Sequence, residues 1–381
     1  MNSIDIPLSL YIHIPWCVRK CPYCDFNSHA LKGNLPEPEY VAALLADLAM
    51  DYPLVAGRKL HSIFIGGGTP SLFSPESFVT LFAGIKNYFE LDNIEITLEA
   101  NPGTVEQARF EGFRAAGINR LSLGIQSLQD DKLKTLGRIH SASEAIKAVE
   151  IAKLAGFDNF NLDIMFGLPD QSIDDAMYDL KTALALQPTH FSWYQLTLEP
   201  NTLFHAKPPV LPMDDAIWEM QEQGQAYLQT QGFQQYEISA YAKPGKQCQH
   251  NMNYWLFGDY LGIGAGAHGK MIQGSGIQRT WKIKNPRDYL NGHTKHNFMG
   301  GIEIIQNKDL PFEFMLNALR LNQNIPLDLF TDRTGLSAEV LKQNLDLAVQ
   351  KGFLSIHNNY LTKTELGTRF LNDLIVLFLD K

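Results

Sequence analysis

Through the first two thirds of the chain, short apolar runs rich in β-branched residues alternate with longer segments whose apolar positions recur at helical spacing. The runs LSLYIHI (8–14), SIFIGG (62–67), EITLEA (95–100), RLSLGIQ (120–126), FNLDIMF (160–166) and HFSWYQLTL (190–198) read as strands. Between them, residues 37–51, 75–90, 104–116, 141–155 and 172–186 read as helices. Pro36-Glu37-Pro38 and Ser74-Pro75 look like helix starts, because a proline in the first turn gives up no intrahelical hydrogen bond. Strand followed by helix, repeated along the chain, implies parallel strands joined by right-handed crossovers. The runs are apolar nearly throughout, as expected of strands covered on both faces.

Periodicity leaves both a (β/α) barrel and an open doubly wound sheet standing. The placement of polar residues favours the barrel. His13 and Cys17, Gly66 to Thr69, Glu99 and Asn101, Gln126, and Asp163 fall at the C-terminal ends of successive strands. Barrel enzymes carry their sites there, whereas an open sheet gathers ligand groups at one switch point. The expected fold is α/β, a partial, TIM-like (β/α) barrel over residues 1–235.

Beyond about residue 205 the pattern changes: 213–231 reads as a helix, YEISAYA (236–242) as a strand, and GDYLGIGAGAHG (258–269) as a Gly-rich stretch. Residues 236–305 are therefore read as an extension. From about 309 helices return and end in FLSIHNNYLTKTELG, a hairpin with an Asn-Asn turn. That outlines a winged-helix-like α+β domain over 306–381. Residues 308–381 hold eight Lys/Arg against nine Asp/Glu, so a cover or docking role is expected in place of DNA binding.

The 381 residues, 45 % of them hydrophobic, can bury one large core and a smaller one. A formal charge of −9 argues against a nucleic-acid partner. The opening MNSIDIPLSLYIHIPWC has no basic residue before Arg19 and no small-residue cleavage site, so it does not read as a signal peptide. No apolar run approaches the ~20 residues that span a bilayer; LIVLFL (374–379) is the longest near the end. A cytoplasmic protein is expected, in which thiols stay reduced.

Three of the four cysteines, Cys17, Cys21 and Cys24, fall within CVRKCPYC. A C-x3-C-x2-C run on a loop after a strand suits an iron–sulfur centre or zinc. Zinc asks for a fourth protein ligand, commonly from a second paired motif, and Cys248 and His250 could supply one only from far along the chain. A [4Fe–4S] cluster on three thiolates instead leaves one iron open to a small molecule.

The motif, with Tyr23 just before Cys24, resembles the radical S-adenosylmethionine (SAM) superfamily. The resemblance implies a [4Fe–4S] cluster on Cys17, Cys21 and Cys24, with SAM at the open iron. Gly67, Gly68 and Thr69 of GGGTP match the family's glycine motif for the SAM amino group. Glu99, Gln126, Arg138 and Asp163 look like its other SAM contacts, and Tyr11 and Tyr23 match positions near SAM. Arg138 can pair with the methionine carboxylate; Gln126 and Asp163 suit ribose hydroxyls, and Glu99 suits the cationic end.

Within the superfamily the chain resembles the subgroup around oxygen-independent coproporphyrinogen III oxidase. It departs from that oxidase in having Phe26 where a fourth cysteine belongs, and in beginning almost directly at the first strand. The added motif HNMNYW (250–255) is similar to that of the HemW-type haem chaperones. That resemblance implies haem as cargo, with His250 as axial ligand and Asn251, Tyr254 and Trp255 around the macrocycle; Cys248 is an alternative thiolate. It also implies an acceptor haem protein, such as a respiratory haem enzyme or a haem-storing ferritin. A homodimer and a transient membrane-protein contact are compatible with it. The enzyme reading, a radical oxidase acting on a porphyrinogen, stays open beside the carrier reading, and radical modification of RNA suits the acidic balance poorly.

Overall fold

The computed structural model describes residues 6–104, 107–273 and 276–380. The first five residues of the opening segment, and residues 105–106 in the helix expected over 104–116, lie outside them. Six parallel strands stand side by side in chain order: β1 (Leu8–Ile14), β2 (Leu60–Gly67), β3 (Glu95–Ala100), β4 (Arg120–Gln126), β5 (Phe160–Phe166) and β6 (His190–Gln195). This is the expected partial barrel. Its helices begin where the sequence signals a start: Pro75–Ile85 is capped by Ser74, and Ala142–Leu154 and Ile173–Ala185 carry capping boxes from Ser141 and Ser172.

The two parities of the strands have different jobs. Leu10, Ile12, Ile63, Ile65, Leu98, Leu123 and Ile164 join the helices in the main apolar core. The opposite parity fills the lumen with polar groups, among them Ser9, Ser62, Thr97, Ser122, Gln126 and Asn161, all buried. Ser9 and Ser62 hydroxyls bond each other at 2.8 Å across β1 and β2. A polar lumen can hold charged ligands at its upper end while the outer face supplies stability.

The sheet does not close on itself. β1 pairs in parallel with β7 (Asp259–Ile263), and β8 (His268–Gln273), β9 (Gly276–Lys282) and β10 (Met299–Ile305) continue it antiparallel. Ala240–Ala242 and Gln234–Gln235 extend the other edge beyond β6, giving twelve strands among the described residues. The Gly-rich stretch 258–269 is thus two strands. A Cβ on Gly262 would stand 2.0 Å from the His268 carbonyl oxygen, so glycine here permits close backbone packing. The strand expected over 236–242 shortens to Ala240–Ala242, because residues 236–239 form the turn that lets it pair back on Gln234–Gln235; Glu237 in that turn meets Arg320 at 3.0 Å.

The C-terminal module has helices Leu310–Ala318, Asp328–Thr334 and Lys342–Gln350 and a hairpin, Leu354–His357 with Tyr360–Lys363. Asn358 and Asn359 turn it with φ of 49° and 66°, as a type I′ turn requires. Its core includes Phe257, Ile272 and Ile277 from the extension, which anchors the module to the sheet. None of the described helices is long and apolar enough to cross a membrane.

Candidate functional site

A cavity of about 330 Å³ opens at the C-terminal ends of the parallel strands. Its walls bring together Cys17, Cys21, Tyr23, Cys24, Gly67, Gly68, Thr69, Glu99, Gln126, Arg138 and Asp163. These residues come from β1 to β5 and the loops that follow them. Tyr11 is the exception. Its hydroxyl bonds His13 Nδ1 at 3.0 Å, and its ring packs beside both Phe64 and His250, one layer below the cavity.

The cysteine loop is held from beneath. The Asn27 amide donates to the carbonyls of Ala265 (2.8 Å) and Lys284 (2.9 Å), and His13 Nε2 lies 3.0 Å from the Asn27 carbonyl. Burial, then the neighbouring Cys24 and Cys21, pushes the Cys17 thiol up to about 11. Three thiols at one cavity cannot all ionise without a cation among them. Among the described residues, no three His, Cys, Asp or Glu side chains converge as a single ion demands. A cubane takes its thiolates at separate corners, so this donor set fits a cluster. Cys248 and His250 lie at the opposite end of the barrel, which removes them as fourth ligands for zinc.

The glycines serve the chain's own packing. A Cβ on Gly68 would sit 2.4 Å from the Trp16 carbonyl oxygen, and one on Gly67, at φ 120°, 2.7 Å from the His13 ring. The gap they leave lets Gly68 N–H reach the Ile14 carbonyl (2.8 Å) and Thr69 N–H the Trp16 carbonyl (2.7 Å). The result ties the end of β2 to the residues just before Cys17.

Glu99 accepts from Gly67 N–H at 3.0 Å. Burial, and then Asp163 opposite, raises its pKa from 4.5 to about 8. Asp163 is raised by burial as well, while Ser192, Asn161 and Ser122 hold its carboxylate by hydrogen bonds. Two carboxyls short of positive charge form a cradle for a cation. Gln126, at φ 68° on a β-bulge, has a buried Oε1 without a hydrogen-bond partner. Arg138 Nη2 donates to Asn101 Oδ1 (2.7 Å) and the Gly124 carbonyl (2.6 Å), and Nη1 lies 3.7 Å from Cys21 Sγ. Its Nε has no partner, so an edge of the guanidinium is left for an anion. An orphaned amide oxygen, a cation-hungry carboxylate pair and a partly free guanidinium suit a zwitterionic nucleoside such as SAM.

HNMNYW lies elsewhere. It forms the helix Gln249–Trp255, which closes the barrel floor against β1, β2 and β7. His250 is 2 % exposed, with Nδ1 3.2 Å from Ser62 Oγ and Nε2 unpartnered. Burial lowers its pKa to about 3, so the imidazole is neutral. Glu95 Oε1 accepts from the backbone N–H of Gln249 (2.9 Å) and caps this helix. Tyr254 stacks on Tyr260 at 4.1 Å, and Arg320 lies over Trp255 at 4.3 Å. Asn251, Tyr254 and Trp255 are half-buried, and the open face expected for a macrocycle is not laid out in this arrangement. From Ser62 to Gly67 is five residues of strand, about 16 Å between floor and cavity.

The sequence reading did not single out Asn27, Ser122, Ser192 or Tyr194 as parts of the site. Strand parity could have found the last three, because they share a face with Asp163 or Gln126.

The fold and the upper cavity define a class. Residues 11–183 match the family model of the radical SAM superfamily, and 305–370 that of the HemN C-terminal domain. The structure of coproporphyrinogen III oxidase (HemN) from Escherichia coli, described as a radical SAM enzyme, aligns over 99 % of this chain and 92 % of that one with TM-score 0.83. At 22 % identity it speaks for the fold alone. In sequence, the chain is 54 % identical to Heme chaperone HemW of Haemophilus influenzae and 53 % to that of Escherichia coli, covering 98 % of this chain and of each relative. It is 34 % identical to Heme chaperone HemW of Mycobacterium tuberculosis, over 97 % of this chain and 94 % of the relative. The chain belongs to the HemW family within the radical SAM superfamily.

Proposed function

We propose that this protein is a haem chaperone: it binds haem and hands it to an acceptor haem protein, and carries a [4Fe–4S] cluster with SAM beside it. Cys17, Cys21 and Cys24 would hold the cluster, which when bound supplies an open iron for SAM. Glu99 would accept the SAM ammonium, Arg138 would take the carboxylate, and Gln126 and Asp163 would orient the ribose. The observation that carries the reading is the 53–54 % identity to two proteins named Heme chaperone HemW, over 98 % of this chain. Phe26, 60 % exposed at the rim, offers no thiolate where the oxidase has one.

Haem ligation by His250 belongs to the same proposal and requires the floor helix to move, since Nε2 is enclosed in the closed state. Asn251, Tyr254 and Trp255 would then line the exposed side. The acceptor, a respiratory haem enzyme or a haem-storing ferritin, would take the cargo in the cytoplasm.

The enzyme reading is tested by incubating the reconstituted, reduced protein anaerobically with SAM and coproporphyrinogen III. No decarboxylated product is expected. Stoichiometric loss of propionate carboxyls as CO₂ would overturn the carrier reading in favour of the oxidase.

A further inference from the structure

Asn27 and Ser28 follow Asp25-Phe26 and sit beneath the cysteine loop. Asn27 clamps the loop to the extension through Ala265 and Lys284, so the next residue is held firmly in place. That residue, Ser28, is buried, at 5 % exposure, and lines the cavity. Its backbone N–H donates to the Phe26 carbonyl at 2.6 Å, which fixes the turn. Its hydroxyl lies within hydrogen-bonding distance of Cys24 Sγ, at 3.4 Å.

A serine hydroxyl donates one hydrogen, and a thiolate can only accept. Once Cys24 is deprotonated on iron, the direction of this bond is settled: Ser28 must donate to sulfur. Cys21 has a donor of its own in Arg138 Nη1 at 3.7 Å. Hydrogen bonds to sulfur are one of the levers that tune an iron–sulfur potential, because they favour the state with the greater negative charge. The reduced cluster is that state. The donor here is neutral and buried.

We propose that the Ser28 hydroxyl donates a hydrogen bond to the cluster thiolate of Cys24 and raises the cluster's reduction potential, as a positioning and tuning residue. This rests on the reading that the three cysteines carry a [4Fe–4S] cluster.

The test uses the full chain, reconstituted anaerobically, as wild type, Ser28→Ala and Ser28→Thr. Iron and sulfide are counted first. The cluster is then titrated with dithionite, and its reduced form is followed by electron paramagnetic resonance. Ser28→Ala is expected to hold the same iron and sulfide with a midpoint potential more negative than wild type; Ser28→Thr, which keeps the hydroxyl, is expected to stay near wild type. Loss of the cluster in Ser28→Ala but not in Ser28→Thr also assigns the effect to the hydroxyl. An unshifted midpoint in Ser28→Ala, an equal shift in Ser28→Thr, or loss of cluster in both variants overturns the proposal. A wild-type protein with no four-iron content would instead overturn the reading of the site, and the metal count alone reveals that.

Discussion

Glu99→Gln tests the electrostatics of the upper cavity. The carboxyl faces Asp163 from β5 and Tyr11 from β1, and Gly67 N–H is its hydrogen-bond donor. Burial first, and Asp163 second, raise its pKa from 4.5 to about 8. A folded-state pKa above the unfolded one means that folding takes up a proton. Glu99 therefore costs nothing below about pH 4.5, costs progressively more stability between 4.5 and 8, and carries its full cost above 8. At about 1.4 kcal/mol per pH unit the ceiling is about 5 kcal/mol. Water in the cavity screens the partly exposed carboxylate, which brings the figure to roughly 2–3 kcal/mol. Without ligand, Glu99→Gln should match wild type near pH 4.5 and exceed it by that amount at pH 8 in urea unfolding. SAM binding should run the other way. Wild-type affinity should rise by up to about tenfold per pH unit from 6 to 8, as the carboxyl ionises to meet the ammonium, and then level off. The variant should bind at least about tenfold more weakly at pH 8, having lost a charge-assisted hydrogen bond of roughly 1.5–3 kcal/mol, with no such slope. Equilibrium dialysis against labelled SAM measures both. A flat wild-type profile between pH 6 and 8, or a variant no more stable at pH 8, would refute the reasoning.

Two further substitutions probe the frame of the site. Gly68→Ala places a Cβ against the Trp16 carbonyl and should break the two backbone bonds that tie β2 to the segment before Cys17; a loss of about 2–4 kcal/mol is expected from the urea midpoint, with reduced iron content, and wild-type values for both would show that the turn adjusts freely. Cys21→Ser should abolish the [4Fe–4S] absorbance, because two thiolates hold the cluster poorly, and an unchanged iron and sulfide count would contradict the assignment.

Much of the upper cavity was legible because barrel strands deliver their C-terminal residues to one place. Glu99, Gln126 and Asp163, far apart in sequence, could be grouped on that rule alone, and the structure sets them around one cavity with the three cysteines. The glycine motif was legible in position but not in reason: Gly67 and Gly68 answer to His13 and Trp16 in the folded chain, which no local pattern reports. Tyr11 lies one level below the cavity wall, and His13, two residues on along the same face of β1, stands nearer to it. The floor was the least legible part. HNMNYW reads locally as a polar and aromatic surface, yet Glu95, Ser62 and Phe64 from other strands close over His250, and only the register of β1, β2 and β3 reveals them. The Gly-rich stretch 258–269 was likewise left without an element, where close antiparallel strands require glycine at 262 and 269.

The central claim is that the chain carries haem through the floor motif, independently of the cysteine cavity. The most direct measurement is a hemin titration of the anaerobic, cluster-reconstituted protein, followed in the Soret region, with wild type beside His250→Ala. The account predicts saturation near one haem per chain in wild type, a much weaker transition in the variant, and unchanged iron and sulfide in both. The absence of specific saturation in wild type, or identical curves for the two proteins, would contradict it.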